Sequence, residues 1–365
     1  MRILLIRLRL IGDVVFTTPL IRALRRRHPR AYLAYVVEPG AAPVVADNPH
    51  LDEVIVATAP AARGRALADL ALVRRLRRQR FDLVLDLHGG PRAAMLALTC
   101  GARRRIGYAS PGRGWMYTDR VPRPRQLRAR HSVENQWDLL APLGFAPPDR
   151  ERDATEMAVA PEAAARADSK LRAAGLAARD DRLVVIHVSA GNPFRRWPAD
   201  AFASLAASLA ARDSRCRVLL LSGPSERDAA RAIGDRARAA AGAAGARVVN
   251  DVELDLRELR AVLEGAALFV GGDSGPLHVA GTSGVPIVAL YGPTLPARSA
   301  PWRSSRHPSE SVEIDLPCRP CDQRRCEPGD YRCLARIAPG AVLAAAERAM
   351  AAGAAQPIAK EGYAR

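Results

Sequence analysis

The sequence predicts an α/β protein of two doubly wound domains facing each other across a cleft. Three observations carry that expectation. Apolar, strand-like runs alternate with Arg- and Ala-rich stretches of helical period in both halves of the chain, which implies parallel sheets. The 365 residues exceed the size at which a single core usually stops growing. Around residues 142–162 the composition turns to Pro, Asp, Glu and Arg, as an interdomain connection would.

In the first half the strands are "RILLIRL" (2–8), "AYLAYVVE" (31–38), "DEVIVA" (52–57) and "FDLVLDLHG" (81–89). Thr18–His28 and Ala66–Arg80 carry the helical period between them. The second series opens with "LVVIHVSAG" (183–191), followed by a helix over Ala199–Arg212, "RVLLLSG" (217–223) and a helix ending near Ala241. A short strand near Arg247–Asn250, a helix over Leu256–Glu264, and the strands "ALFVGG" and "PIVALYG" complete it. The expected division is an N-terminal domain over 1–160 and a C-terminal domain over 161–338. A C-terminal helix and tail, 339–365, are expected to pack back on the N-terminal domain.

Composition removes several classes of function. No apolar stretch approaches the roughly 20 residues needed to cross a bilayer. The first apolar run is broken by Arg7 and Arg9, so it reads as a strand and not as a signal peptide, and a cytoplasmic protein is expected. The net charge of +17 is carried almost wholly by Arg, with Lys170 and Lys360 as the only lysines. Clusters such as Arg74-Arg75, Arg77-Arg78 and Arg103-Arg104-Arg105 suit an anionic membrane surface, at about 1 kcal/mol per residue. Scarce aromatics, with no alternation of basic and stacking residues, argue against nucleic acid. Cys318, Cys321, Cys326 and Cys333 crowd one segment, as a structural zinc site or as a Cys-rich surface loop.

The chemistry collects at strand ends. No Walker-type loop, Gly-x-Gly-x-x-Gly or Asp-x-Asp is present, so phosphates would be met by helix N-termini and cationic side chains without Mg²⁺. In "LFVGGDSGPLHVAGTSGVPIVALYGPT" (268–294), Ser274-Gly275-Pro276 begins a helix whose amides form an anion site. Asp273 then reads either as ligand-facing or as a helix cap, and His278 either as ligand-facing or as a core residue. In "IGDVVFTTPLIRALR" Asp13 stands at a helix start, as an N-cap or as an ionised general base at the cleft rim. "HVSAGNPFRRWPADAF" offers Arg195 and Arg196 in a basic loop.

Taken together, "IGDVVFTTP", "RRWP" and "GGDSGPLHVAGTSGVPIVALYGPT" resemble glycosyltransferase family 9, the lipopolysaccharide heptosyltransferases. "DLVLDLHGGPRAA", "RRRIGY" and "HSVENQWDLL" are similar to that family at matching places, so the resemblance spans the chain. It implies a GT-B fold of two Rossmann-like domains, the first binding the acceptor and the second ADP-heptose. Asp13 falls on the catalytic base, and Ser189 to Arg195 on the phosphate loop. Ser274, Gly275 and His278 would hold the diphosphate, and Asp273 would meet the sugar hydroxyls. Glu226 is the candidate for the ribose, and Leu254 for an apolar contact to adenine. Where the family usually has Lys two positions before Trp-Pro, Arg195 stands here, which leaves Arg195 or Arg196 as the diphosphate cation. The Cys-rich segment is more similar to the second-heptose enzymes than to the first.

The resemblance further implies an inverting, metal-independent transfer of heptose from ADP-L-glycero-D-manno-heptose to the lipid A–Kdo inner core of lipopolysaccharide. No cofactor is expected, and the acceptor places the protein on the cytoplasmic face of the inner membrane. A transferase of the same fold acting on another nucleotide sugar, or on capsule or O-antigen, is the nearest alternative. A basic nucleic-acid-binding protein and a non-catalytic protein with a zinc knuckle are the others.

Overall fold

The computed structural model describes residues 1–59, 64–123, 129–176 and 181–355. The tail beyond residue 355 lies outside the described residues. The first sheet is built from β1 (Arg2–Ile6), β2 (Tyr32–Val37), β3 (Glu53–Val56), β4 (Leu83–Asp86), β5 (Arg104–Ala109) and β6 (Asp119–Pro122). Around it lie α1 (Ile11–Val15), α2 (Thr18–Arg27), α3 (Arg65–Arg78), α4 (Pro91–Thr99) and α5 (Ser132–Trp137). The second sheet contains β7 (Arg182–His187), β8 (Cys216–Leu221), β9 (Val248–Val249), β10 (Leu268–Gly272), β11 (Ile287–Tyr291) and β12 (Ser309–Glu313). Its helices are α6 (Pro161–Ala173), α7 (Ala199–Arg212), α8 (Arg227–Ala241), α9 (Leu256–Gly265), α10 (Gly275–Ala280), α11 (Pro296–Ser299), α12 (Arg332–Ala335) and α13 (Pro339–Ala354).

The strand orders are β3-β2-β1-β4-β5-β6 and β12-β11-β10-β7-β8-β9, with every pairing parallel. Two six-stranded parallel sheets with covering helices are the α/β, GT-B-type architecture that the sequence implies. In each sheet the order reverses once, between β1 and β4 and between β7 and β10. Ligands of open α/β sheets bind at such switch points, outside the carboxyl ends of the strands. The central strands are buried on both faces, which is why they read as continuous apolar runs.

The two lobes share one apolar cluster, from Ile3, Val14 and Tyr35 in the first to Phe269, Leu277 and Tyr291 in the second. The connection between them is pinned. Trp302 Nε1 donates to the Asp153 carbonyl at 2.9 Å, and Thr155 N donates to the Trp302 carbonyl at 2.9 Å. Arg26 and Arg22 of α2 pair with Asp153 and Glu156 at 2.5 and 2.6 Å.

Two expectations change. The helix expected to start at Asp13 and run on through Pro19 is two helices, divided at Phe16-Thr17. There the Thr17 and Thr18 hydroxyls donate to the Val14 and Val15 carbonyls at 2.7 and 2.8 Å, offering the backbone an alternative to a continuous helix. Helix α13, expected to pack back on the N-terminal domain, lies instead on the second sheet and α7, where Val342, Ala345, Ala346 and Ala349 join the core around Val288 and Leu290.

Candidate active site

Helices α1 and α10, which follow β1 and β10, meet in a tight seam between the lobes. A glycine on each side makes the approach possible. A Cβ at Gly12 would lie 2.1 Å from His278 Cδ2, and one at Gly275 would lie 3.0 Å from Ile11 Cβ. The loops after β1 and β10 are thereby brought together where the lobes meet.

On the front side, Asp13 does not cap α1; the cap position is Leu10, and no side chain bonds there. Its carboxylate, one-third exposed, pairs instead with Arg7 Nη2 at 2.5 Å. Arg7 Nη1 donates to the Leu87 carbonyl at 2.6 Å and so ties the Asp13 carboxylate to the end of β4. His88, also at that end, is pushed down to about 4 by burial, with the Arg7 charge adding to the effect, and is neutral at physiological pH. Asp86 orders this turn by accepting from the His88 and Gly89 amides at 2.9 and 2.8 Å and from Tyr117 Oη at 2.6 Å.

On the rear side, Asp273 is buried, and its carboxylate faces Arg195 Nη1 at 3.2 Å and His278 Nε2 at 3.3 Å. Burial alone would raise its pKa, but the neighbouring His278 imidazole and the Arg195 guanidinium outweigh that and hold it at about 2. Asp273 Oδ1 is buried without a hydrogen-bond partner in the protein, while its carbonyl and Oδ2 face Arg195. Ser274 opens α10 with no capping bond, and its buried hydroxyl has no protein partner.

Arg195 and Arg196 point to different neighbours. Arg195 joins Asp273, whereas Arg196 pairs with Glu226 at 2.6 Å and donates to the Ala190 carbonyl at 2.9 Å. Ser189 Oγ accepts from the Gly223 amide at 2.8 Å, which ties the loop after β7 to the loop after β8 where Glu226 sits. Leu254, half-buried, lies against the core just before α9, whose start is closed by the Asp255–Glu258 capping box. The two loops and the start of α10 form one rear wall.

Three further residues at the site were given no role from the sequence. Arg298 of α11 is half-buried, which lowers its pKa, and it also feels the charges of Asp13 from the front lobe and of Arg195 and Asp273 from the rear lobe. His131 bridges the lobes: its Nδ1 accepts from the Val133 amide at 3.1 Å, so its Nε2 carries the proton donated to the Ala300 carbonyl at 2.8 Å. Gln323 reaches Arg195 from the Cys-rich segment. None of these follows a strand end in sequence, and only Arg7, which interrupts an apolar run, left a local signal.

Cys318, Cys321, Cys326 and Cys333 line one small cavity of about 40 Å³ together with Phe194 and Tyr331. Among the described residues, no group of three or more His, Cys, Asp or Glu is arranged to hold a metal ion. No helix of the described residues is long and apolar enough to cross a membrane.

A family model described as glycosyltransferase family 9 (heptosyltransferase) matches residues 70–332. Lipopolysaccharide heptosyltransferase 3 of Escherichia coli K12 is 29% identical over 305 residues, covering 80% of this chain and 82% of that protein. Among solved structures, a family 9 glycosyltransferase from Veillonella parvula superposes with a TM-score of 0.79 at 23% identity, covering 96% of this chain and 97% of that one. The ADP-heptose lipopolysaccharide heptosyltransferase II of Escherichia coli gives 0.77 at 22% identity, covering 97% and 100%; at such identities the likeness concerns the fold. With the family model spanning more than two-thirds of its length, the chain belongs to glycosyltransferase family 9.

Proposed function

We propose that the protein transfers heptose from ADP-L-glycero-D-manno-heptose to the inner core of lipopolysaccharide, with inversion and without a metal ion. The observation that carries this reading is the meeting of the two switch points, which sets a front-lobe carboxylate, Asp13, across from a rear wall of Arg195, Ser274 and the α10 amides. The names of the relatives support the donor and the acceptor class.

ADP leaves the anomeric carbon as positive charge builds on the sugar ring, as in other oxocarbenium-like reactions. Arg195, the Ser274 hydroxyl and the Gly275 amide receive the departing diphosphate, and such pre-aimed donors need no reorganisation as its charge develops. Asp273 and His278 hold that wall in place. Glu226, kept in position by Arg196, takes the ribose hydroxyls, and Leu254 lies under adenine. Asp13, oriented by Arg7, removes the acceptor hydroxyl's proton as it attacks the opposite face of the sugar. The closed α1–α10 seam excludes water and so limits hydrolysis of the donor.

The acceptor is lipid-anchored, so the protein works at the cytoplasmic face of the inner membrane. Exposed Arg74, Arg77 and Arg78 on α3, with exposed Trp115 on the same lobe, support a peripheral contact with anionic lipid. The decisive experiment incubates the protein with ADP-heptose and truncated inner-core acceptors, with and without EDTA, and reads the product by mass spectrometry. Addition of one heptose in both conditions is expected. Absence of transfer, with UDP or GDP binding in place of ADP by titration calorimetry, would assign a different donor.

A further inference from the structure

The Cys-rich segment 318–333 has no part in the chemistry above, yet one of its side chains reaches the donor wall. Gln323 Oε1 accepts from Arg195 Nε at 2.7 Å and from Asn192 Nδ2 at 2.9 Å. On its other side, Arg195 Nη1 donates to the Asp273 carbonyl at 3.0 Å and faces Asp273 Oδ2 at 3.2 Å. A guanidinium held at both Nε and Nη1 cannot turn about its long axis, so its remaining N–H groups keep a fixed direction. Gln323 makes this reach from a left-handed backbone conformation, φ 59°, that its residue type rarely adopts. The surrounding segment holds it there. Tyr331 packs edge-on against Phe194, the neighbour of Arg195, with ring centroids 5.3 Å apart, and the Cys321 amide donates to the Pro293 carbonyl at 3.2 Å.

We propose that Gln323 is a positioning residue for sugar transfer: it aims the Arg195 guanidinium at the departing diphosphate, and segment 318–333 is the strut that carries it. The inference rests on the assignment of Arg195 made above. Negative charge on the leaving group grows during bond breaking, so a fixed donor direction matters most in the transition state. In the ground state a bound diphosphate draws even a loosened arginine to itself. Loss of Gln323 therefore lowers kcat more than it weakens donor binding.

The test uses Gln323→Gly, which suits the positive φ and removes the amide, and Gln323→Asn, which tolerates that φ but falls one methylene short. In both, kcat is expected to fall about tenfold, the worth of one hydrogen bond to a charged group, while donor KM and ADP affinity stay within about threefold. Gln323→Glu restores an acceptor at the same reach and brings kcat back to within about threefold of the parent. In an Arg195→Ala background, Gln323→Gly produces no further loss. Parental kcat in both the Gly and Asn variants overturns the inference, as does a loss that adds fully to that of Arg195→Ala. Parental kcat in Arg195→Ala alone removes the assignment of Arg195 itself, and this inference with it.

Discussion

Replacing Gly12 with alanine tests the seam on which the site depends. The added Cβ would stand 2.1 Å from His278 Cδ2 and 2.9 Å from its Nε2. Carbon atoms settle near 3.5–4.0 Å, so one side of the contact must yield by about 1.4 Å. If the imidazole turns aside, it gives up Asp273 at 3.3 Å and its ring contact with Phe16, whose centroid lies 4.6 Å away. If the seam opens instead, Asp13, the next residue, moves back from the rear wall by about 1 Å. Overpacking of this kind costs about 1–3 kcal/mol. A displacement of about 1 Å at reacting groups costs about 10²-fold in turnover. Urea denaturation reads the first effect, and steady-state transfer with donor titration reads the second. A Gly12→Ala protein that unfolds with the parent and turns over within about twofold of it would refute the reasoning, because the lobes then do not meet here during catalysis.

Acid stability is the second test. Burial depresses the His131 pKa to about 3, against an ordinary value near 6.5, and only the neutral ring can accept from the Val133 amide. The unfolded chain therefore binds the proton first, so this stabilisation is complete above about pH 6.5 and is lost as pH falls toward about 3. Between pH 7 and 5 the loss is about 2 kcal/mol for this residue. His131→Gln should lose correspondingly less in urea titrations at the two pH values; an equal loss would show that His131 is not held neutral. For the membrane contact, replacing Arg74, Arg77 and Arg78 with Ala should weaken cosedimentation with anionic vesicles by about 1 kcal/mol per residue at low salt. Unchanged cosedimentation would place the contact elsewhere.

Much of the fold was legible because most strands of these sheets are buried on both faces and therefore uniformly apolar. β12, "SESVE", escaped notice because it is an edge strand whose residues alternate between exposed and half-buried, so its polar composition hides its pairing with β11. The break between α1 and α2 escaped because it depends on hydroxyls bonding back to the preceding turn, and Thr17 Oγ1 also meets Tyr35 Oη at 2.8 Å. α13 was misplaced because its small apolar face suits either lobe, and only tertiary packing decides between them. Asp13, Ser189, Arg195 and Asp273 could be singled out as candidates because each follows a strand at a sheet's switch point. His131, Arg298 and Gln323 act across more than 100 residues of sequence, on Ala300, Asp13 and Arg195. Nothing in the immediate neighbours of Arg298 and Gln323 marks them, and the stretch "HSVENQWDLL" that His131 opens does not reveal its bond to Ala300.

The central claim is that Asp13 removes the acceptor's proton opposite a diphosphate held by the rear lobe, and Asp13→Asn measures this most directly. The account predicts that transfer from ADP-heptose falls by about 10²–10⁴-fold while ADP affinity, set by the other lobe, stays near that of the parent. Near-parental transfer by the Asn variant would contradict it.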